Sequence, residues 1–252
     1  MHSISVITVV KNSSNTIGNC IESVLGQEAS AEYVIIDGSS SDDTIDIIKS
    51  YGSRINKFIS EPDGGMYDAL NKGIRMAEGD IITILHADDV FAHKKVLSEI
   101  CALFEKKNVD SCYGDLLYVK HDNLSKVVRY WRAGLYNPRR FYWGWMPPHP
   151  TFSVKKSVYE KYGLFDTALG SAADYELMLR FLLRHGISCD YIPDILINMR
   201  VGGQSNVSLK NRFRANLFDR QAWKVNGLRP YPWTLFLKPL SKIGQYFSRP
   251  LV

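Results

Sequence analysis

The chain has 252 residues, 45% apolar and 23% charged, which excludes a disordered tail, a collagen-like fibre and a coiled coil. That length suits one large α/β domain or two small ones, and no apolar run reaches the roughly 18 residues of a membrane span. The net charge of +5 is uneven: from Val201 onward nine lysines and arginines face the single acid Asp219, a net +8, so the first 200 residues carry −3.

A near-neutral body with a basic tail aimed at something anionic is the expectation. The start, Met1-His2-Ser3-Ile4-Ser5, has no basic flank and no signal-peptide core, so nothing directs export. Cys20, Cys101, Cys112 and Cys189 show neither pairing rhythm nor metal-ligand spacing, which points to buried thiols in a reduced, cytosolic compartment.

In chain order, Ser5 to Val10 is a β-branched apolar run suited to a buried parallel strand. After Lys11 and Asn12, Ile17, Cys20, Ile21, Val24 and Leu25 recur at helical spacing. Tyr33–Ile36 reads as a second strand ending in the turn cluster Asp37-Gly38-Ser39, before a helix carrying Ile45, Ile47 and Ile48. A short strand near Phe58 leads into the loop Glu61-Pro62-Asp63-Gly64-Gly65, then a helix from about Tyr67 to Ala77. Ile81–Leu85 is a fourth strand, ending in His86-Ala87-Asp88-Asp89. This alternation predicts βαβ units and a parallel, doubly wound sheet.

The second half is less regular. Val127–Trp131, Thr151–Val154 and the alternating Ile195, Ile197 and Met199 read as strands, and Ala173–Arg184 as a helix. Phe141–Pro148 is rich in aromatics and proline. Leu228–Leu240 mixes Trp, Phe and Leu with bases, as an interfacial anchor on anionic lipid does, although its prolines break a continuous helix. The organisation expected is one body with a C-terminal extension.

In an open parallel sheet, ligands bind beyond the carboxyl ends of the strands, and three proposed strands end there in polar groups. Asp88-Asp89 on a strand end suits a hard divalent cation, although an isolated Asp-Asp more often caps a helix. Asp37 could accept hydrogen bonds from a base or ribose, or serve as ordinary turn chemistry. Asp174, at the start of a helix, could be a general base or an acid favoured by the helix dipole. Gly202-Gly203-Gln204-Ser205 could cover phosphates or connect two elements. Neither a Gly-x-Gly-x-x-Gly nor a P-loop follows the first strand, and no Gly-x-Ser-x-Gly elbow occurs. The tail is the sole hint of nucleic-acid binding, and no reading motif accompanies it, so no nucleic-acid partner is expected.

Taken together, Asp37–Asp42, Glu61–Ile74, His86–Asp89, His149-Pro150-Thr151-Phe152 and Ala173–Leu177 resemble, in order, the motifs of family 2 glycosyltransferases that build bacterial surface polysaccharides. The resemblance spans roughly residues 4 to 205. It implies an α/β GT-A fold, a Rossmann-like and mostly parallel sheet flanked by helices, with a helical basic C-terminal appendage. Residues 1–205 would form the transferase domain, 1–90 binding the nucleotide-sugar and 91–205 carrying the acceptor and catalytic half, with 206–252 as the extension.

The resemblance further implies a nucleotide-sugar donor, with UDP-sugar favoured, a divalent metal (Mn2+ or Mg2+) and inverting transfer. Thr8, Val10, Asn12, Asp37, Asp68 and Lys72 would line the nucleotide, and Asp88, with Asp89 beside it, would hold the metal. Asp174 would be the catalytic base. His149 would approach the donor from the acceptor side, and Gly203, Gln204 and Ser205 would lie near the diphosphate. One departure stands out: the first acid of the family's Asp-x-Asp is here His86. The absence of the processive members' Gln-x-x-Arg-Trp motif favours transfer of a single sugar. The acceptor would be a saccharide or lipid-linked saccharide, with the chain cytoplasmic or peripheral on the cytoplasmic face of the inner membrane. The alternative is a non-catalytic nucleotide-sugar-binding or assembly protein on the same fold.

Overall fold

The structure, a computed structural model, describes residues 2–202 and 209–246. Strand β1 (Ile4–Val10) is buried at every position, as a central parallel strand covered on both faces must be. Around it lie β2 (Glu32–Asp37), β3 (Lys57–Ser60) and β4 (Ile81–Ile84), all parallel. The register pairs Val10 with Asp37 and Asp37 with Ser60, so these strands finish along one edge. The crossovers are α1 (Ile17–Leu25), α2 (Thr44–Ser50) and α3 (Met66–Met76). Helix α3 lies against β1 at Gly73, where a Cβ would stand 2.5 Å from Ile7 Cγ2.

Beyond β4 the sheet becomes mixed. The order is β3-β2-β1-β4-β8-β6-β9-β5, with β7 paired to β6. Here β5 is Val90–Phe91, β6 Ser111–Lys120, β7 Asn123–Trp131, β8 Ser153–Lys155 and β9 Cys189–Arg200. The short antiparallel β8 joins the parallel half to the parallel pair β6–β9. Helices α4 (Val96–Lys107) and α5 (Lys156–Tyr162) flank this half. The helix expected over 173–184 is α6 (Ala173–Met178), which widens into π-helical turns over Leu179–Arg184.

The expected boundary after residue 205 lies outside the described residues. Beyond it, α7 (Leu209–Val225) and α8 (Thr234–Leu240) pack on the body. Ala222 and Trp223 are fully buried, and Trp223 Nε1 donates to the Tyr175 hydroxyl at 2.9 Å. Asn226 Nδ2 donates to Glu176 Oε1 at 3.1 Å. The C-terminal helices thus grip α6 immediately after Asp174.

Candidate active site

The sheet edge gathers the polar strand ends. Asp37 is fully buried; its carboxylate accepts from the Ser40 N–H at 3.0 Å and the Ser60 hydroxyl at 2.7 Å, and so holds the turn after β2. Asn12 has a left-handed backbone (φ 50°) and accepts from the Ser41 N–H at 2.8 Å, which ties the end of β1 to that turn. Val10 is buried beside it. Thr8 points inward, 3.2 Å from the Tyr33 hydroxyl and wholly enclosed, so its side chain forms floor rather than surface. Asp68 accepts from the Gly64 N–H at 2.9 Å, and Lys72 pairs with Glu61 at 2.9 Å and Asp68 at 3.7 Å. The cleft floor is therefore a braced polar rim with part-exposed carboxylates and one lysine.

The turn after β4 is held from β9. Arg200 Nη1 donates to the Asp88 carbonyl at 2.5 Å, its Nη2 to Asn19 Oδ1 at 3.1 Å, and its backbone N–H to Asp89 Oδ1 at 3.2 Å. Asp89 is fully buried; burial and the adjacent Asp88 push its carboxyl well above the usual range, and its Oδ2 has no partner among the described residues. Asp88 is part-exposed and near enough to His86 to act on its charge. Of the two carboxylates, Asp88 is the one placed to meet a hard cation from the cleft, and its oxygen chemistry fits Mg2+ or Mn2+. The buried Asp89 lies behind it.

Asp174 opens α6 opposite this turn. Its Oδ2 stands 3.2 Å from His149 Nδ1, and its Oδ1 accepts from the Tyr175 N–H at 2.8 Å. The ring of His149 meets that of His86 edge-on, centroids 6.3 Å apart. Burial, then the neighbouring His149, pulls His86 down to about 4. Burial also lowers His149, against the opposing pull of Asp174. Both imidazoles are thus neutral near pH 7, and a neutral His149 can donate Nδ1–H to the Asp174 carboxylate. Tyr67 faces the same carboxylate, its phenol raised well above its ordinary value chiefly by burial. These groups border a narrow pocket of about 30 Å³ with Leu70, Phe152 and Leu177.

Folding therefore brings His86, His149 and Asp174 together, with Asp88 beside them, and sets Asn12, Asp37, Asp68 and Lys72 along the adjoining rim. Gly203, Gln204 and Ser205 lie outside the described residues. Tyr67 and Arg200 were not expected. Tyr67 sits within the Glu61–Ile74 motif, next to Asp68, whereas Arg200 carries no local signal because its role depends on β9 reaching the β4 turn. A separate grouping, His93, Glu99 and Asp194, could offer three ligand atoms. There, however, His93 Nδ1 accepts from the Lys95 N–H at 3.3 Å, so Nε2 carries the proton and faces Asp194 at 3.6 Å. That is beyond hydrogen-bond reach, and His93 Nε2 and Glu99 Oε2 are buried without a hydrogen-bond partner among the described residues.

Comparison with known proteins agrees with this geometry. The profile described as "Glycosyl transferase family 2" matches residues 5–163. An uncharacterised glycosyltransferase of Mycobacterium tuberculosis is 33% identical over 184 residues, 71% of this chain and 69% of the relative. This chain belongs to glycosyltransferase family 2. Its fold is shared with solved transferases at low identity. Staphylococcus aureus TarS (residues 1–349), solved in complex with UDP, superposes with a TM-score of 0.67 at 19% identity, over 87% of this chain and 65% of that one. The mannosyltransferase PcManGT of Pyrobaculum calidifontis, solved with GDP-Man and Mn2+, gives 0.61 at 16%, over 99% and 76%. The glycosyltransferase has the GT-A architecture, a curled sheet flanked by helices. No helix among its described residues is long and apolar enough to cross a membrane.

Proposed function

We propose that this glycosyltransferase moves a single sugar from a nucleoside-diphosphate sugar, UDP-sugar in the first instance, to a hydroxyl of a saccharide or lipid-linked saccharide, with inversion. The observation that carries the reading is the Asp174 carboxylate, held 3.2 Å from His149 in the lining of a pocket shared with His86, with Asp88 near enough to act on the charge of His86. Asp174 takes the proton of the acceptor hydroxyl as its oxygen bonds to the anomeric carbon. The bond from that carbon to the diphosphate oxygen breaks on the opposite face, and the nucleoside diphosphate leaves with the electron pair. General-base assistance of this kind contributes roughly 10²–10⁴-fold. His149 and the Tyr175 N–H orient the carboxylate, and the apolar lining keeps competing water out.

Asp88 would hold the divalent metal, with Asp89 and Arg200 fixing the turn that presents it. When bound, the metal supplies Lewis-acid neutralisation of the charge that builds on the diphosphate. The GDP-Man and Mn2+ seen in the mannosyltransferase and the UDP seen in TarS support both a nucleotide-sugar and a metal here. The deciding experiment is a calorimetric titration with UDP, GDP and dTDP, with and without Mn2+. One nucleotide is expected to bind, to require the metal and to be lost in Asp88→Ala. A folded protein that binds none of the three would overturn the reading.

Attachment to the cytoplasmic face of a membrane is part of the proposal. Trp233, Phe236 and Leu240 are exposed on and beside α8 within the basic segment, as in an interfacial anchor. Co-sedimentation with vesicles containing anionic lipid, weakened by added salt and by Phe236→Ser, is the expected result; equal recovery with neutral vesicles counts against it.

A further inference from the structure

Beside the reaction centre lies a second cleft, of about 420 Å³, walled by the end of β7, by residues 140–146 and by the segment from Lys238 to Gln245. That volume is in the range of small-molecule sites. Its inner end adjoins the site described above. Lys238 Nζ stands 3.5 Å over the ring of Tyr175, the residue after Asp174. Lys242 and Asp174 are close enough for each charge to act on the other. The wall depends on Gly144, with φ of +77°: a Cβ there would meet the Lys238 backbone nitrogen at 2.4 Å. The Ser241 hydroxyl closes the contact by donating to the Gly144 carbonyl at 3.2 Å.

Two properties define what fits. The first is charge. Arg132, Arg140, Lys238 and Lys242 line the cleft, and among the described residues no carboxylate does. Lys238 is answered from outside by Asp219, 2.8 Å away through both oxygens. Arg140 donates to the Ala133 and Leu135 carbonyls, which leaves its charge uncancelled. Lys242 has no salt-bridge partner among the described residues, and burial with Lys238 and Arg129 nearby holds its ammonium below the usual range. Gln245, on the same wall, keeps a buried Oε1 without a partner among the described residues. The second property is aromatic surface: Trp143, 57% exposed, stands at the rim, while Trp131 and Trp145 are buried in the wall, with Arg140 lying 4.4 Å over the Trp145 ring. The apolar C–H faces of a pyranose stack on such indoles, while Lys and Arg recognise phosphate oxygens.

We propose that this cleft holds the acceptor, and that the acceptor is a saccharide bearing a phosphate ester. Lys242 and Arg132 meet the phosphate, and Trp143 lies under a sugar ring. The assignment rests on the sugar-transfer reading above and adds the class of substrate that the transfer serves.

The test is equilibrium binding to the full chain, with UDP and Mn2+ saturating so that phosphate cannot occupy the donor site. Four probes are compared: glucose 1-phosphate, decyl diphosphate-linked glucose, methyl glucoside and inorganic phosphate. The phosphorylated sugars are expected to bind at least about tenfold more tightly than methyl glucoside or phosphate alone, and to weaken as salt rises. Lys242→Gln, Arg132→Ala and Trp143→Ala should each reduce that affinity about tenfold or more, at unchanged thermal midpoint and unchanged UDP affinity. Preference for the decyl probe identifies a lipid-linked headgroup, whereas equal binding of both phosphosugars identifies a soluble or polymeric phosphosaccharide. Methyl glucoside binding as tightly as glucose 1-phosphate, or variants that bind phosphosugar like the parent, overturns the proposal. The two readings fail separately: UDP binding without phosphosugar binding sinks the cleft assignment alone. Phosphosugar binding sensitive to Lys242→Gln, in a protein that ignores nucleotides, sinks the donor reading alone.

Discussion

A neutral His149 that donates to Asp174 does two things at once: it fixes the carboxylate in one rotamer and avoids placing a cation where a proton must arrive. Asp174→Asn keeps shape and hydrogen bonding but removes the basic oxygen. It is expected to lower turnover by roughly 10²–10⁴-fold with nucleotide affinity within about twofold of the parent; an equal loss of affinity would assign Asp174 to donor binding. His149 also ties stability to pH. Its folded pKa lies below 6.5, mainly through burial, so as pH falls through 6.5 the unfolded chain takes up the proton first. The stabilisation is complete above 6.5 and is lost below it. The unfolding midpoint should therefore drop between pH 7 and 5, with a shallower slope in His149→Gln; parallel slopes would show that other groups carry the effect. At this scale the sequence pointed to Asp174, because an acid opening an apolar helix is visible locally, and the fold sets that carboxylate against His149. It did not reveal Arg200, whose contacts run to Asn19, Asp88, Asp89 and His121, far away along the chain.

Among the elements, α6 is the one whose position matters most, and it is held from outside. Trp223 is buried against it and donates to Tyr175, while Asn226 reaches Glu176. Glu176 is itself pinned by Arg180 at 2.9 Å. Trp223→Ala should cost about 3–5 kcal/mol of stability, read from chemical unfolding, and should lower turnover more than nucleotide affinity. Unchanged turnover in the folded variant would show that α6 keeps its place without α7. Helix α3 offers a contrasting case. Gly73→Val would put methyl groups into Ile7 and is expected to destabilise by about 1–3 kcal/mol, with nucleotide binding impaired as well. The first four strands were legible because each is a short apolar run closed by turn residues. Strand β6 was not, since Gly114 and Asp115 look like a turn. In the fold Gly114 permits close approach to Leu196, and the buried Asp115 accepts from Tyr191 at 2.8 Å and from the Ala133 N–H at 2.8 Å. Tertiary partners absorb there what local chemistry reads as a break.

Across the whole molecule, the halves differ in how far their contacts reach along the chain. The parallel half is built from neighbouring βαβ units, so periodicity and order sufficed to lay it out. The other half joins β6 to β8 and β9 and then receives α7 and α8, pairings that no local pattern announces. The basic tail was legible as charge, but not as the wall of a cleft or the brace of the helix that Asp174 opens.

That bracing by α7 has a consequence for how the protein comes into being. A chain growing from its N-terminus completes the strands and helices of the nucleotide-facing rim long before residues 222–226 exist to grip Tyr175 and Glu176. On the function proposed above, donor recognition can thus mature on the ribosome while transfer stays off, until the synthesis of α7 lets the proposed base take its place. Ribosome-bound chains arrested so that Arg200 has emerged but α7 has not are expected to retain nucleotide but release no transferred sugar, and chains arrested with α7 and α8 exposed to do both. The order of synthesis itself would then keep an unfinished transferase from acting.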